Sequence, residues 1–155
     1  WLTVKPYGAG HFIHGLSVIG NVFKSLYNRT QRIDKVDTTH ADLNHDRMRN
    51  ILFQGNMFNG IDTYVANPVD VVHAQNTAAN RWIVGTSAML PFNGVAMKVE
   101  SLVADGALTN AANEPVSAMP WVERLVGLQR KSVAINWPAA VKGRVSLRVR
   151  MDTPD

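Results

Sequence analysis

The chain has 155 residues, no cysteine and a formal net charge of +4; 46% of its residues are hydrophobic and only 18% are charged. This length suits one domain or two small ones, and the lack of cysteine excludes disulfides and cysteine-based zinc sites. No apolar run reaches the ~20 residues that a membrane span needs, so we expect no membrane insertion, and the low charged fraction favours a β-rich extracellular or virion-type protein.

A sequence pattern that occurs twice dominates the first half of the chain. Residues 15–26 and 50–61 match at an offset of 35 residues, and the matched positions include Val18 with Phe53, Gly20 with Gly55, Asn21 with Asn56 and Phe23 with Phe58. Apolar residues alternate up to the Gly-Asn pair, which predicts a strand, a tight bend and a second strand. Repetition at a fixed period is typical of stacked layers, in which bend asparagines can hydrogen-bond along the stack.

The segments Val18–Phe23 and Phe53–Phe58 resemble rungs of a right-handed parallel β-helix of the pectate-lyase type. A plain rung needs roughly 20–27 residues. The observed period of 35 therefore leaves a surplus, which we assign to an outward loop at about 28–49. Residues 1–14 fit the end of an earlier rung, and we interpret the chain, which begins at Trp1, as part of a longer protein. The side chains predicted to lie inside the rungs are Val18, Phe23, Phe53 and Phe58.

Beyond the repeat, the pattern changes to separated strands with turn signals between them. We expect one last partial rung at Val69, Val71 and Val72, and a domain boundary between residues 76 and 77. Strands are predicted over 81–85, 97–104, 132–137 and 143–151. The predicted fold class is all-β, with the last rungs of a right-handed parallel β-helix in domain 1–76 and a small antiparallel β-sheet or sandwich cap in domain 77–155.

The last predicted strand has the cleanest alternation in the chain. One face should be buried and carries Val145, Leu147, Val149 and Met151. The other face carries Arg144, Ser146, Arg148 and Arg150, and we expect it to protect a sheet edge or to meet carboxylates of a neighbouring subunit.

A β-helix followed by a short C-terminal β-domain resembles the layout of bacteriophage tailspike proteins. The resemblance implies a homotrimer on the virion, as a tail or head spike, that attaches to bacterial surface polysaccharide. Because an open β-helix end needs a cap, we expect the second domain to serve in capping, trimerisation and receptor binding. One alternative is a fragment of a polysaccharide depolymerase, a glycoside hydrolase or lyase, that keeps part of the active-site groove. A second alternative is a basic polyanion-binding β domain.

The predicted loop supplies the catalytic candidates Asp34, Asp37, Asp42 and Asp46 and the ligand-binding candidates His40 and His45. Carboxylates and histidines in one loop can form an acid/base pair or a metal site. Neither an EF-hand order nor a His-x-x-x-His pair is present, so we predict no metal and no cofactor. Structural roles are the alternative, with Asp42 as an N-cap and Asp46 paired with Arg49. Family catalytic residues do not transfer one by one, so this chain is not expected to be catalytic alone.

Aromatic side chains are the other ligand-binding candidates, because sugar rings stack on them. Trp121 follows Pro120 in a loop-like segment, and Tyr64 lies near the predicted domain boundary. Trp82 and Trp137 fall in strand-like apolar runs and are expected in the core. The basic residues are scattered and no nucleic-acid motif accompanies them, so we predict no nucleic-acid partner.

Overall fold

The chain is built almost entirely from strands. A computed structural model describes residues 1–154 and contains 49% strand and 6% helix, which confirms the predicted β class. The strands are β1 Leu2–Val4, β2 Ile13–His14, β3 Ser17–Ile19, β4 Val22–Lys24, β5 Asp34–Val36, β6 Met48–Arg49, β7 Leu52–Gln54, β8 Met57–Asn59, β9 Val69–Gly85, β10 Lys98–Ala104, β11 Trp121–Val126 and β12 Ser132–Arg150. Short 3-10 turns lie at His45–Arg47, Pro91–Asn93 and Leu128–Arg130. Within the described part of the chain, no helix has the length and apolarity to cross a membrane.

The two copies of the repeat lie side by side as parallel layers. β3 pairs with β7 and β4 with β8, and Val18 lies opposite Phe53 while Phe23 lies opposite Phe58. The pairs β2·β6 and β1·β5 are also parallel and continue the same two layers. The stacking that the repeat predicts is therefore confirmed. These strands form four separate two-stranded sheets, and no sheet in residues 1–154 closes on itself.

The Gly-Asn bends of the two layers are joined by side-chain hydrogen bonds. The glycines have φ of 67° at Gly20 and 62° at Gly55, a region that residues with a Cβ adopt only with strain. The Oδ1 atom of Asn56 accepts the Asn21 N–H at 2.9 Å, and its Nδ2 donates to Val18 O at 2.9 Å. The asparagine ladder expected from the repeat is thus present between the layers.

Aromatic rings continue the stack beside the bend. The rings of Phe23 and Phe58 are 5.7 Å apart and nearly parallel, and Tyr64 follows on Phe58 at 5.3 Å. Val18, Phe23 and Phe53 are buried as predicted, whereas Phe58 is only half-buried. Phe58 remains accessible because it borders an open groove along the second layer.

The surplus residues of the repeat are more structured than an outward loop. The segment 28–49 contains β5, the first 3-10 turn and β6, and it buries Ile33 and Met48. Strand β5 pairs with β1, so this part of the segment belongs to the layers themselves. Residues 37–44 contain no strand or helix and form the actual excursion.

The second half of the chain forms a four-stranded antiparallel sheet around β12. Strand β9 pairs along one side of β12, and β10 and β11 pair one after the other along the other side. Val69, Val71 and Val72 lie in β9 and pair with β12, so they do not form a further parallel rung. The predicted boundary between residues 76 and 77 falls inside β9. The two strands expected between 132 and 151 are one strand, β12.

The alternation predicted near the end of β12 is confirmed, but the strand is central rather than at an edge. Val145, Leu147, Val149 and Met151 are fully buried. On the other face Arg148 bonds to Asp70 of β9 at 3.0 Å and to Glu100 of β10 at 3.2 Å. Arg148 therefore meets carboxylates of both neighbouring strands, because β12 has a paired strand on each side, and Arg144 and Arg150 also pair with carboxylates of the same chain.

A buried polar network, which we call the cap network, joins the sheet to the second layer. It consists of Ile51 backbone groups and the side chains of Asn67, Arg150 and Asp152. Asp152 Oδ2 accepts the Ile51 N–H at 2.8 Å, and Asn67 Nδ2 donates to Ile51 O at 2.7 Å. Arg150 donates to both carboxylate oxygens of Asp152 and to Ile51 O. These bonds satisfy backbone groups on the side of the second layer that faces away from the first.

Candidate functional site

Trp121 is the most exposed of the aromatic side chains that stand on the antiparallel sheet. It begins β11 rather than lying in a loop, and 56% of its surface is accessible. Trp121 lies opposite Asn136 of β12, which in turn lies opposite Arg81 of β9. Residues in direct register share one face of a sheet, so these three side chains form a row across three strands.

A closed polar network lies beside Trp121 on the same face. Glu123 follows Trp121 by two residues, and its carboxylate accepts two parallel hydrogen bonds of 3.0 and 2.9 Å from the Arg81 guanidinium. The Asn136 amide donates to Glu123 at 2.9 Å and accepts from Arg81 at 2.9 Å. The Arg81 hydrogen bond holds the pKa of Glu123 below its usual value and raises that of Arg81, so both groups stay charged at neutral pH. We call Trp121, Glu123, Asn136 and Arg81 the tryptophan face.

The tryptophan face combines the groups that bind a pyranose ring. An exposed indole offers a flat apolar platform for the C–H face of the sugar. Carboxylate oxygens, guanidinium N–H groups and an amide beside it can exchange hydrogen bonds with hydroxyl groups. The bidentate pair fixes the orientation of these polar groups before any ligand arrives.

Tyr64 lies elsewhere, in an open groove of about 970 Å³ along the second layer. Its ring covers Phe58, and 58% of its surface is accessible. The groove is lined by apolar side chains and a few polar ones: Ile19, Phe53, Gln54, Asn56, Met57, Phe58, Tyr64, Val65, Ala66, Pro68 and Arg148. The two aromatic candidates therefore belong to different surfaces.

Three of the four aspartate candidates have structural partners. Asp34 is buried, bonds to Arg32 at 3.0 Å and accepts the Phe92 N–H. Asp37 accepts hydrogen bonds from Thr39 and forms an ion pair with Lys5, and these contacts lower its pKa to about 2. Asp46 forms an ion pair with Arg130 at 3.2 Å, rather than with Arg49. The lowered pKa makes Asp37 a poor general acid, because its charged form is stabilised. Asp34 and Asp46 are engaged in contacts that hold the fold together.

The remaining loop candidates occupy two further places. Asp42 and His45 line a groove of about 480 Å³ between the 37–47 segment and the turn at Leu128–Arg130. His45 Nδ1 is buried without a hydrogen-bond partner. Burial lowers the pKa of His45; the positive charges of Arg130 and Lys131 lower it further, whereas the negative charge of Asp46 raises it. His40 stacks on Tyr7 with ring centres 4.8 Å apart. In residues 1–154, no three His, Asp or Glu side chains group in a way that could hold a metal ion.

The sequence offered no signal for three members of the tryptophan face. Arg81, Asn136 and Glu123 come from three segments, and only the register of β9, β12 and β11 brings them together. Comparison of the chain with protein-family models, with curated proteins and with solved structures found no match.

Proposed function

We propose that the chain closes a spike-type attachment protein, in which a right-handed parallel β-helix ends in an antiparallel cap and three copies assemble on the virion. The observation that supports this proposal is the cap network. Repeat architectures need terminal elements that end the stack. The outer backbone groups of Ile51 and Phe53 bond to Asp152 and Asn67 rather than to a third parallel layer.

The edge of the stack opposite the cap network, formed by β3 and β4, is open to further layers. Among residues 1–154, β3 and β4 pair only with β7 and β8, so their other edges carry no strand. In a parallel ladder alternate residues direct their backbone groups to opposite sides, and those of Ser17 and Ile19 point away from β7. An additional rung with the same Gly-Asn bend fits this edge, whereas the cap network occupies the opposite one.

We assign polysaccharide attachment to the tryptophan face. Its exposed indole and oriented polar network are the features that favour a sugar ligand over a nucleic acid. The arginines at 144, 148 and 150 all pair with carboxylates in the chain, which weakens the case for a polyanion-binding face. The structural engagement of Asp34, Asp37 and Asp46 likewise favours attachment over depolymerase chemistry in this part of the protein.

Binding to bacterial surface polysaccharide tests the attachment role. We expect Trp121→Ala and Glu123→Gln to abolish retention of the protein on polysaccharide-coated sensors, because they remove the platform and the charge of the polar network. Tyr27→Ala is the matched control, since Tyr27 is an aromatic side chain with 94% exposure that lies outside the face. Equal retention of the unmodified protein and the three variants would exclude the tryptophan face as the attachment site.

Light scattering measures the assembly, and a monomer mass at micromolar concentration would contradict the trimer for this chain.

A further inference from the structure

The chain itself covers the outer edge of the second layer along β6 and β7, and the turn at Pro91–Asn93 contacts β5. Phe53 exchanges two backbone hydrogen bonds of 3.0 Å with Asn67, and Ile51 bonds to Asp152. Thr153 N–H approaches Met48 O at 3.5 Å. For β8, the described residues provide a partner strand only on the inner side, where β4 lies. No strand of the cap, within residues 1–154, therefore pairs with β8.

The backbone of β8 has bonding capacity directed away from β4. The hydrogen bonds to the first layer involve Met57 N–H, which donates to Asn21 O at 2.8 Å, and Asn59 O, which accepts from Ser25 N–H at 2.9 Å. Alternation in a parallel ladder then directs the N–H and C=O of Phe58 to the other side. An edge of this kind is a template for an added strand.

The groove beside β8 has the chemistry of a strand-binding surface. Its lining is mainly apolar, and Ile19, Met57 and Tyr64 are each more than half exposed. Its one charged residue, Arg148, already pairs with Asp70 and Glu100. The Asn56 amide is bonded to Asn21 and Val18. Few polar groups remain for sugar hydroxyls, whereas an extended backbone with apolar side chains would match both the edge and the lining.

We propose that this groove binds an extended polypeptide strand of a partner, uncharged over the paired residues and apolar at alternate positions, which adds to β8. The antiparallel bridge between Phe53 and Asn67 shows how the same side of this layer accepts an added backbone. The partner strand would continue that coverage from β7 along β8. Its apolar side chains would pack on Met57, Phe58 and Tyr64.

The test uses a synthetic peptide with the sequence of residues 50–61, which is uncharged, is rich in apolar residues and already serves as a layer in this fold. Titration into the isotope-labelled protein should shift the amide resonances of Phe58, Tyr64 and Ala66. Met57→Lys should weaken the peptide affinity at least about tenfold by placing a charge against the strand. Val22→Lys is the matched control, because Val22 lies opposite Met57 in β4, has nearly the same exposure, and does not line the groove.

Three results would overturn the proposal. The first is a set of shifts confined to Ser17 and Val22, which do not line the groove, because this would place the peptide on the opposite edge of the stack. The second is an equal loss of affinity in both lysine variants. The third is shifts at Tyr64 caused by maltohexaose but not by the peptide. Both substitutions are at exposed positions, and circular dichroism of each variant confirms the fold before titration.

Discussion

The side chains of Asn67 and Asp152 are hydrogen-bonded at 2.8 Å although 85 residues separate them in the chain. Asn67 precedes the first strand of the antiparallel sheet, and Asp152 follows the last. Together they close the sheet onto Ile51, a residue of the second parallel layer. The attachment of the sheet to the layers therefore depends on a few buried polar contacts as well as on apolar packing.

Replacing Asp152 with alanine should destabilise the protein by about 3–5 kcal/mol, because the largely buried guanidinium of Arg150 loses its nearest carboxylate and the buried Ile51 N–H loses its acceptor. Burial alone would raise the pKa of Asp152, but hydrogen bonds from Arg150, Asn67 and the Ile51 N–H lower it overall. Urea unfolding measures the loss. Asp70→Ala, which removes the exposed partner of Arg148, is the control and should cost no more than ~1 kcal/mol. Similar losses in the two variants would contradict the role of the cap network.

Truncation of the stacked phenylalanines should have unequal effects. Phe53 is fully buried, so Phe53→Ala should cost about 3–5 kcal/mol of unfolding free energy. Phe58→Ala should cost less, because its ring is half-buried and borders an open groove. Thermal and urea unfolding of both variants give the comparison, and a costlier Phe58→Ala would show that the second layer is covered in solution.

The asparagine ladder predicts a difference between its two members. Asn56→Ala removes the acceptor for Asn21 N–H and the donor to Val18 O, so it should cost roughly 1–3 kcal/mol. Asn21→Ala should cost less, since it removes one side-chain bond between the layers, to Asn56 Oδ1 at 3.2 Å, and leaves the Asn21 N–H bonded to the same oxygen. The other bond of the Asn21 amide, to Ile19 O, lies within the first layer. Unfolding in urea distinguishes the two, and equal losses would show that the bonds between layers add little.

Shortening the 37–44 excursion should leave the fold intact, whereas replacing all of 28–49 should unfold it. The longer replacement removes β5 and β6 and the buried Ile33 and Met48. The shorter one removes no regular element. Circular dichroism and proteolysis measure the outcome, and a folded protein after the longer replacement would mean that the layers do not need this segment.

His45 should make the stability depend on pH in a defined window. Its folded pKa is lowered from 6.5, mainly by burial, so the unfolded chain binds the proton more readily. Stability is therefore complete above about pH 6.5 and declines as the pH falls toward the lowered folded value. His45→Gln should flatten this decline in urea titrations between pH 7 and 5. His40→Gln should retain it, and a flat profile in the unmodified protein would contradict the prediction.

The repeat made the parallel half of the fold predictable, because matched residues at a fixed offset specify which strands pair and in what register. The alternation of Val145, Leu147 and Val149 likewise identified the buried face of β12. The length of β9 was not predictable, since Asn76–Asn80 has the composition of a turn. In the structure this segment stays in the strand, and the register with β12 shifts around Val141. Local composition does not reveal such bulges.

The proposed binding surfaces were less predictable than the fold. The exposure of Trp121 was predicted from its sequence context, although the residue begins a strand rather than lying in a loop. Its neighbours Arg81 and Asn136 are set by pairing between distant strands. Asp34 was a candidate catalyst because it is acidic and lies in the inserted segment. Its neighbour Arg32 and the Phe92 N–H give it a structural role that the sequence alone does not show.

The register of β9 and β12 also determines how the protein would respond to mechanical force. Val69 and Val149 lie opposite each other, so the start of β9 and the end of β12 are at the same end of the ladder. A pull on residue 153 against the parallel layers would therefore peel the two strands apart one pair at a time, which is a weak direction of loading. The bonds of Asp152 to Ile51 and Asn67 stand before the first of those pairs. These hydrogen bonds would therefore bear the load first, and the two strands would begin to separate only after they break.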